Sequence, residues 1–181
     1  MPGGIRLRRH VLRDGDLRGE RGLLGAWAYT EQPLAPLNTI AAVLNMDMIG
    51  RMRNGEIAIG GIDTARGFAE KLYPMFEDSG MTVYADPSGR GPSDHSSFYG
   101  AGIPVLFFFS GVHDVYHKPG DKGYSVDPRG IPGVLNLVEK IAMWRAGDEK
   151  RLEFWNGVRE QGQTGDQAAS GSDRGYAPVR L

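Results

Sequence analysis

The chain has 181 residues, of which 40% are hydrophobic, with a formal net charge of −1 and no cysteine. That length fits one domain with a buried core. The balanced charge offers no footprint for nucleic acid or an anionic membrane surface, and the missing thiols exclude disulfides, a cysteine nucleophile and thiolate metal ligands. A bound metal would have to be held by the four histidines and the 22 acidic residues. No stretch is apolar over the roughly 20 residues that a membrane-spanning helix needs. The basic opening M-P-G-G-I-R-L-R-R-H has no apolar segment after it and does not read as a secretory signal.

Residues 1–21 are rich in Arg and Gly and fit neither a helical nor a strand period. Residues 23–32 read as a helix stopped by Pro33. The run T-I-A-A-V-L-N-M-D-M at 39–48 has the length and apolarity of a strand covered on both faces, as in a parallel or mixed sheet. A polar turn at 50–55 precedes a short alternating strand at 56–59. Residues 64–79 form an amphipathic pattern with Phe68, Leu72, Met75 and Phe76 on one face, Asp63 as N-cap and Gly80 as terminator. A strand at 81–84 and a Gly/Pro/Ser loop at 86–92 follow, then a short helix at 94–99.

The segment I-P-V-L-F-F-F at 103–109 is the most hydrophobic and reads as a central strand. After a polar loop at 110–122, residues 127–144 form a last helix with Ile131, Val134, Leu135, Val138 and Ile141 at helical spacing. The stretch from about residue 162 is low in complexity. Strands alternating with helices indicate an α/β sandwich, in which sites form at the carboxyl ends of strands.

Three polar clusters fall at such ends. Asp47 closes an apolar strand, and a carboxylate there needs an Arg, a helix N-terminus or a metal as partner. His117, in Y-H-K-P-G-D, is a candidate neutral metal ligand whose second nitrogen Asp121 could orient. His113 and His117 are four apart but lack the H-E-x-x-H glutamate, since Asp114 follows His113, and Ser110-Gly111 and Pro119-Gly120 flank them against a helix. Ser93-Asp94-His95 contains the residue types of a serine-hydrolase triad, yet no G-x-S-x-G elbow exists, and Ser93 and Asp94 suit capping of the next helix.

The stretches E-R-G-L-L-G-A, L-N-M-D-M-I-G-R, S-D-H-S-S-F-Y-G-A-G-I-P-V-L and V-Y-H-K-P-G-D, in this order over residues 20–144, resemble the zinc-dependent exopeptidases of metallopeptidase family 28. That family includes bacterial leucine aminopeptidases, glutamate carboxypeptidase and glutaminyl cyclase. The resemblance implies a three-layer α/β sandwich with a mixed, mostly parallel sheet, incomplete at the N-terminus. It also implies peptide substrates and two zinc ions that activate a shared water. By position it implies Glu20, Asp47 and His117 as metal ligands, His95 as a residue of the pocket wall, and Asp121 and Asp94 behind the ligands.

The departures are as specific. The family's general base falls on Gly19, which cannot move a proton. The family's upstream His-x-Asp pair, which supplies one His ligand and the bridging Asp, is not found before it. The expected organisation is therefore an atypical leader at 1–19, the C-terminal part of a peptidase domain at 20–150 and a low-complexity tail at 151–181. The leader is consistent with an out-of-frame segment: back-translated with suitable codons and shifted by one base, R-H-V-L-R-D-G-D-L-R-G-E reads V-M-F-F-V-T-V-T-S-E-E. The expected function is an impaired fragment of a di-zinc aminopeptidase; the alternative is a non-catalytic interaction module that keeps the fold. Intact relatives are commonly exported.

Overall fold

The computed structural model describes residues 23–148 and 150–156. The leader, the tail beyond Asn156, Gly19 and Glu20 lie outside the described residues. Four strands form the sheet: β1 (Val43–Asp47), β2 (Glu56–Gly60), β3 (Thr82–Asp86) and β4 (Val105–Phe109), in the order β1-β4-β2-β3. β1 runs parallel to β4 and β2 parallel to β3, while β2 and β4 are antiparallel. The sheet is thus mixed and mostly parallel, as expected.

Strand alternation divides the side chains between two layers. Leu106 and Phe108 of β4 and Ile57 and Ile59 of β2 face α2 (Phe68–Glu77) and α4 (Ile131–Gly147), where Phe68, Leu72, Val134, Leu137 and Ile141 complete the larger core. Val105 of β4 faces the opposite layer, where α1 (Leu24–Glu31) and α3 (His95–Gly100) bury Ala26, Tyr29, Phe98 and Tyr99. Helices therefore cover both faces, which makes the three-layer sandwich.

Four expectations are corrected. The apolar run at 39–48 is a strand only from Val43; among the described residues it lies at the edge of the sheet, and with Met46 42% exposed it is not covered on both faces. Its first residue, Thr39, closes a 3-10 turn, Leu37–Thr39, that follows Pro36, and residues 40–42 lie between that turn and the strand. The helix expected from residue 64 begins at Phe68, with Gly67 rather than Asp63 at the N-cap, in the left-handed conformation at φ 79° that glycine tolerates. Thr64 is diverted because its buried hydroxyl donates toward the carbonyls of Gly61 and Val105 and accepts from the Val105 amide, which ties this turn to β4. In α4, Leu135 is exposed and Leu137 takes the buried position, while Asp127 caps the preceding 3-10 turn Pro128–Gly130.

The fold also continues past the expected boundary at 150. Phe154 bridges to Ala65 and packs on Tyr99, Trp155 donates its amide to the Thr64 carbonyl, and the Arg66 guanidinium lies 3.7 Å above the Trp155 ring. Leu152, Phe154 and Trp155 bring the apolar surface that a low-complexity tail lacks.

Candidate functional site

Asp47 is the last residue of β1, and Phe109 is opposite it on β4. The two-residue period places Val43, Asn45 and Asp47 on one side of β1, the side that meets α3. There Ser93 Oγ donates to Asp47 Oδ2 at 2.9 Å and accepts from Asn45 Nδ2 at 2.8 Å. Asn45 Nδ2 also lies 3.3 Å from His95 Nδ1. An amide nitrogen only donates, so Nδ1 accepts and the imidazole proton resides on Nε2. That nitrogen faces the 90–91 backbone so closely that a Cβ on Gly91 would lie 2.8 Å from it. Gly91 is therefore needed for room.

His95 is 1% exposed and stacks on Phe107 with centroids 4.3 Å apart. Burial pushes its pKa down from 6.5 to about 4, against smaller upward pulls from a backbone hydrogen bond at Arg90 and from the Asp47 charge. The ring is neutral at pH 7. It lies beneath the strand end, so the wall position inferred from sequence corresponds to a ring closed off from solvent that braces Asn45, and through Ser93, Asp47.

The capping expectation does not hold for α3. Asp94 occupies the N-cap position but its side chain makes no capping hydrogen bond, and the Ser93 hydroxyl is turned to β1. The same bond removes the serine-hydrolase reading, since the Ser93 proton is directed to a carboxylate rather than to an imidazole.

The second part of the site is the loop after β4. Ser110 Oγ donates to the carbonyl of Met48, which fastens the start of this loop to the residue after Asp47. His117 is exposed and stacks on Tyr116 with centroids 3.9 Å apart. Asp121, expected behind His117, instead accepts from Arg51 Nη2 at 2.6 Å and lies 3.7 Å from His113 Nε2. Arg51 also donates to Ser125 Oγ. The loop is thus clasped to the 3-10 turn Ile49–Arg51 that follows β1.

Four described non-glycine residues have positive φ: Leu23, Met48, Asn54 and His117. Asn54 sits in the turn before β2. His117 is itself a candidate ligand, Met48 follows another, and Leu23 comes three residues after the third. Left-handed backbone at such residues costs about 1–3 kcal/mol and persists where surrounding structure enforces it, often at functional sites.

Asp47 and His117 offer donors of the type zinc takes, a carboxylate oxygen and an imidazole nitrogen. Among the described residues, however, no three His, Asp or Glu side chains are grouped to hold a metal ion. The described residues alone therefore do not fit a four-coordinate zinc site.

The model of peptidase family M28 matches residues 19–142. The chain belongs to peptidase family M28. It is 34% identical over 94 residues to leupeptin-inactivating enzyme 1 of Streptomyces exfoliatus, covering 51% of this chain and 21% of that protein. It is 30% identical over 128 residues to a probable leucine aminopeptidase of Arthroderma otae, covering 68% of this chain and 35% of that protein. Among solved structures, the LapA aminopeptidase of Legionella pneumophila aligns with a TM-score of 0.58 at 23% identity, over 73% of this chain and 38% of that one. BSAP, a zinc aminopeptidase from Bacillus subtilis, aligns with the same TM-score at 24% identity, over 77% of this chain and 37% of that one. These two structural likenesses carry the fold. The M28 chain spans between a fifth and two fifths of the length of each of these relatives.

Sequence reasoning placed Asn45 in the polar cluster at the strand end without giving it a role, and it missed the inward role of Ser93. Asn45 was readable, because two residues before a strand-end carboxylate is the same face of the strand. The partner of Ser93 lies 46 residues away, and no local pattern announces it.

Proposed function

We propose that this chain is the C-terminal part of a di-zinc peptidase domain of aminopeptidase type, with a site too incomplete for efficient hydrolysis by the chain alone. The observation that carries this reading is Asp47, held by Ser93 at the carboxyl end of β1 beside the loop that bears His117, in a chain that the M28 family matches over residues 19–142. Glu20, Asp47 and His117 are the residues assigned to metal. Zinc held with the missing ligands supplied would lower the pKa of a coordinated water and polarise a peptide carbonyl. The chain's own share would be to hold the Asp47 carboxylate in one orientation through Ser93.

Gly19 occupies the place of the group that would move the proton of that water, and glycine has no side chain to do so. The names of the relatives, a leucine aminopeptidase and a leupeptin-inactivating enzyme, support peptides as substrates. Retention of Glu20, Asp47 and His117 together favours decay from an enzyme over a module with no catalytic ancestry, which has no need of metal ligands. Incubating the purified 181-residue chain with zinc and a leucyl anilide tests the proposal. Release of the anilide at the background rate is expected, and turnover near the roughly 10 s⁻¹ median of enzymes would refute the impairment.

A further inference from the structure

At the amino end of β1, away from Asp47, a pocket of about 180 Å³ is lined by residues 38–41, by Arg145 and Asp148 at the end of α4, and by Arg151. Ala41 is six positions before Asp47, which at strand rise is about 20 Å, so this pocket is independent of the peptidase reading. Its volume is well above the roughly 10–15 Å³ that a single water needs.

Arg145 is the unusual feature. Its side chain is 5% exposed, although a guanidinium is always charged and offers five N–H donors. Nη1 reaches Asp148 Oδ2 only at 3.4 Å and Nη2 reaches the Lys150 carbonyl only at 3.5 Å, both at the outer limit of hydrogen bonding. Nε is buried with no hydrogen-bond partner among the described residues. The last turn of α4, where Arg145 sits, favours a cation, and the Trp144 ring lies 5.1 Å from the guanidinium. These account for a positive charge at this place. They leave most of its in-plane donors unfilled, and an under-compensated buried charge is expensive.

A second guanidinium stands at the same pocket, because Arg151 Nη1 donates to the Asn38 carbonyl. Among the described residues of the lining, two arginines stand against one aspartate. We propose that this pocket binds a carboxylate, held between Arg145 and Arg151. A carboxylate is planar, matches the fork of a guanidinium with two parallel hydrogen bonds, and carries a single negative charge. A phosphate dianion would leave an excess negative charge beside Asp148.

Thermal melting of the full 181-residue chain at pH 7 tests this, with sodium acetate as probe against sodium chloride and sodium phosphate at equal ionic strength. Acetate is expected to raise Tm saturably above chloride, with phosphate giving a smaller shift. Arg151→Gln, which alters an exposed side chain, should weaken the apparent acetate affinity about tenfold, and Asp148→Asn should strengthen it. Arg145→Gln should abolish the shift; if that variant does not fold, the other two decide. Equal Tm in acetate and chloride, an acetate shift unchanged in Arg151→Gln and Asp148→Asn, or a larger shift in phosphate would each overturn the proposal.

Discussion

Alternate residues of the same strands build two unlike layers. Toward α2 and α4 the sheet presents Ile57, Ile59, Leu106 and Phe108, which close with Phe68, Leu72, Val134 and Ile141 into a core with no polar side chain among its buried members. Toward α3 the strand end presents Asn45 and Asp47, which meet Ser93 and His95 in a chain of hydrogen bonds. One face gains its stability from area and is indifferent to pH. The other gives up apolar area to hold a carboxylate in one orientation, and it depends on protonation.

The largest effect should come from the dry face. Phe108→Ala removes a fully buried ring and should cost about 3–5 kcal/mol, read as a lower urea midpoint with an unchanged slope. An equal cost at pH 5 and pH 7 would sharpen the contrast. Next is the pH response of the hydrogen-bonded face. Folded His95 titrates near 4, whereas the unfolded residue takes a proton near 6.5. Between these values the unfolded state binds more protons, so stability is full above about pH 6.5 and falls as the pH drops toward 4. The total loss is up to roughly 3 kcal/mol. His95→Phe keeps the stack on Phe107 and should remove this part of the acid sensitivity; an unchanged profile would assign it to other groups.

Ser93→Ala strips a donor from Asp47 and an acceptor from Asn45, at about 1–3 kcal/mol. Its effect should be less than additive with Asn45→Ala, since both belong to one network. The smallest effect belongs to the loop clasp. Asp121→Asn weakens a pair whose partners are 20% and 42% exposed, at roughly 0.2–1 kcal/mol in chemical denaturation.

The two faces were not equally readable from sequence. β4 was legible because Val105–Phe109 is a run of five apolar residues with nowhere to lie but inside the sheet. The α2 stripe was legible from its helical spacing, but its start was not. Asp63 and Thr64 look like an N-cap, and only the folded chain shows Thr64 binding to β4. Leu135 lies about 100° around α4 from Val134, outside the face that Val134, Leu137, Ile141 and Arg145 bury. On the hydrogen-bonded face, residue types and strand ends pointed to Asp47. The bracing by Ser93 and His95 joins positions 46 and 50 residues apart. Asp121 looked like a companion of His117 because it is near in sequence, whereas its partner Arg51 comes from a turn 70 residues earlier.

The central claim, an M28 chain with an incomplete zinc site, is tested most directly by zinc stoichiometry. The purified 181-residue chain would be equilibrated with excess zinc, exchanged into metal-free buffer and analysed for zinc per chain. The account predicts less than one tightly held ion per chain, lowered further in Asp47→Asn. Two tightly held zinc ions per monomer would contradict it.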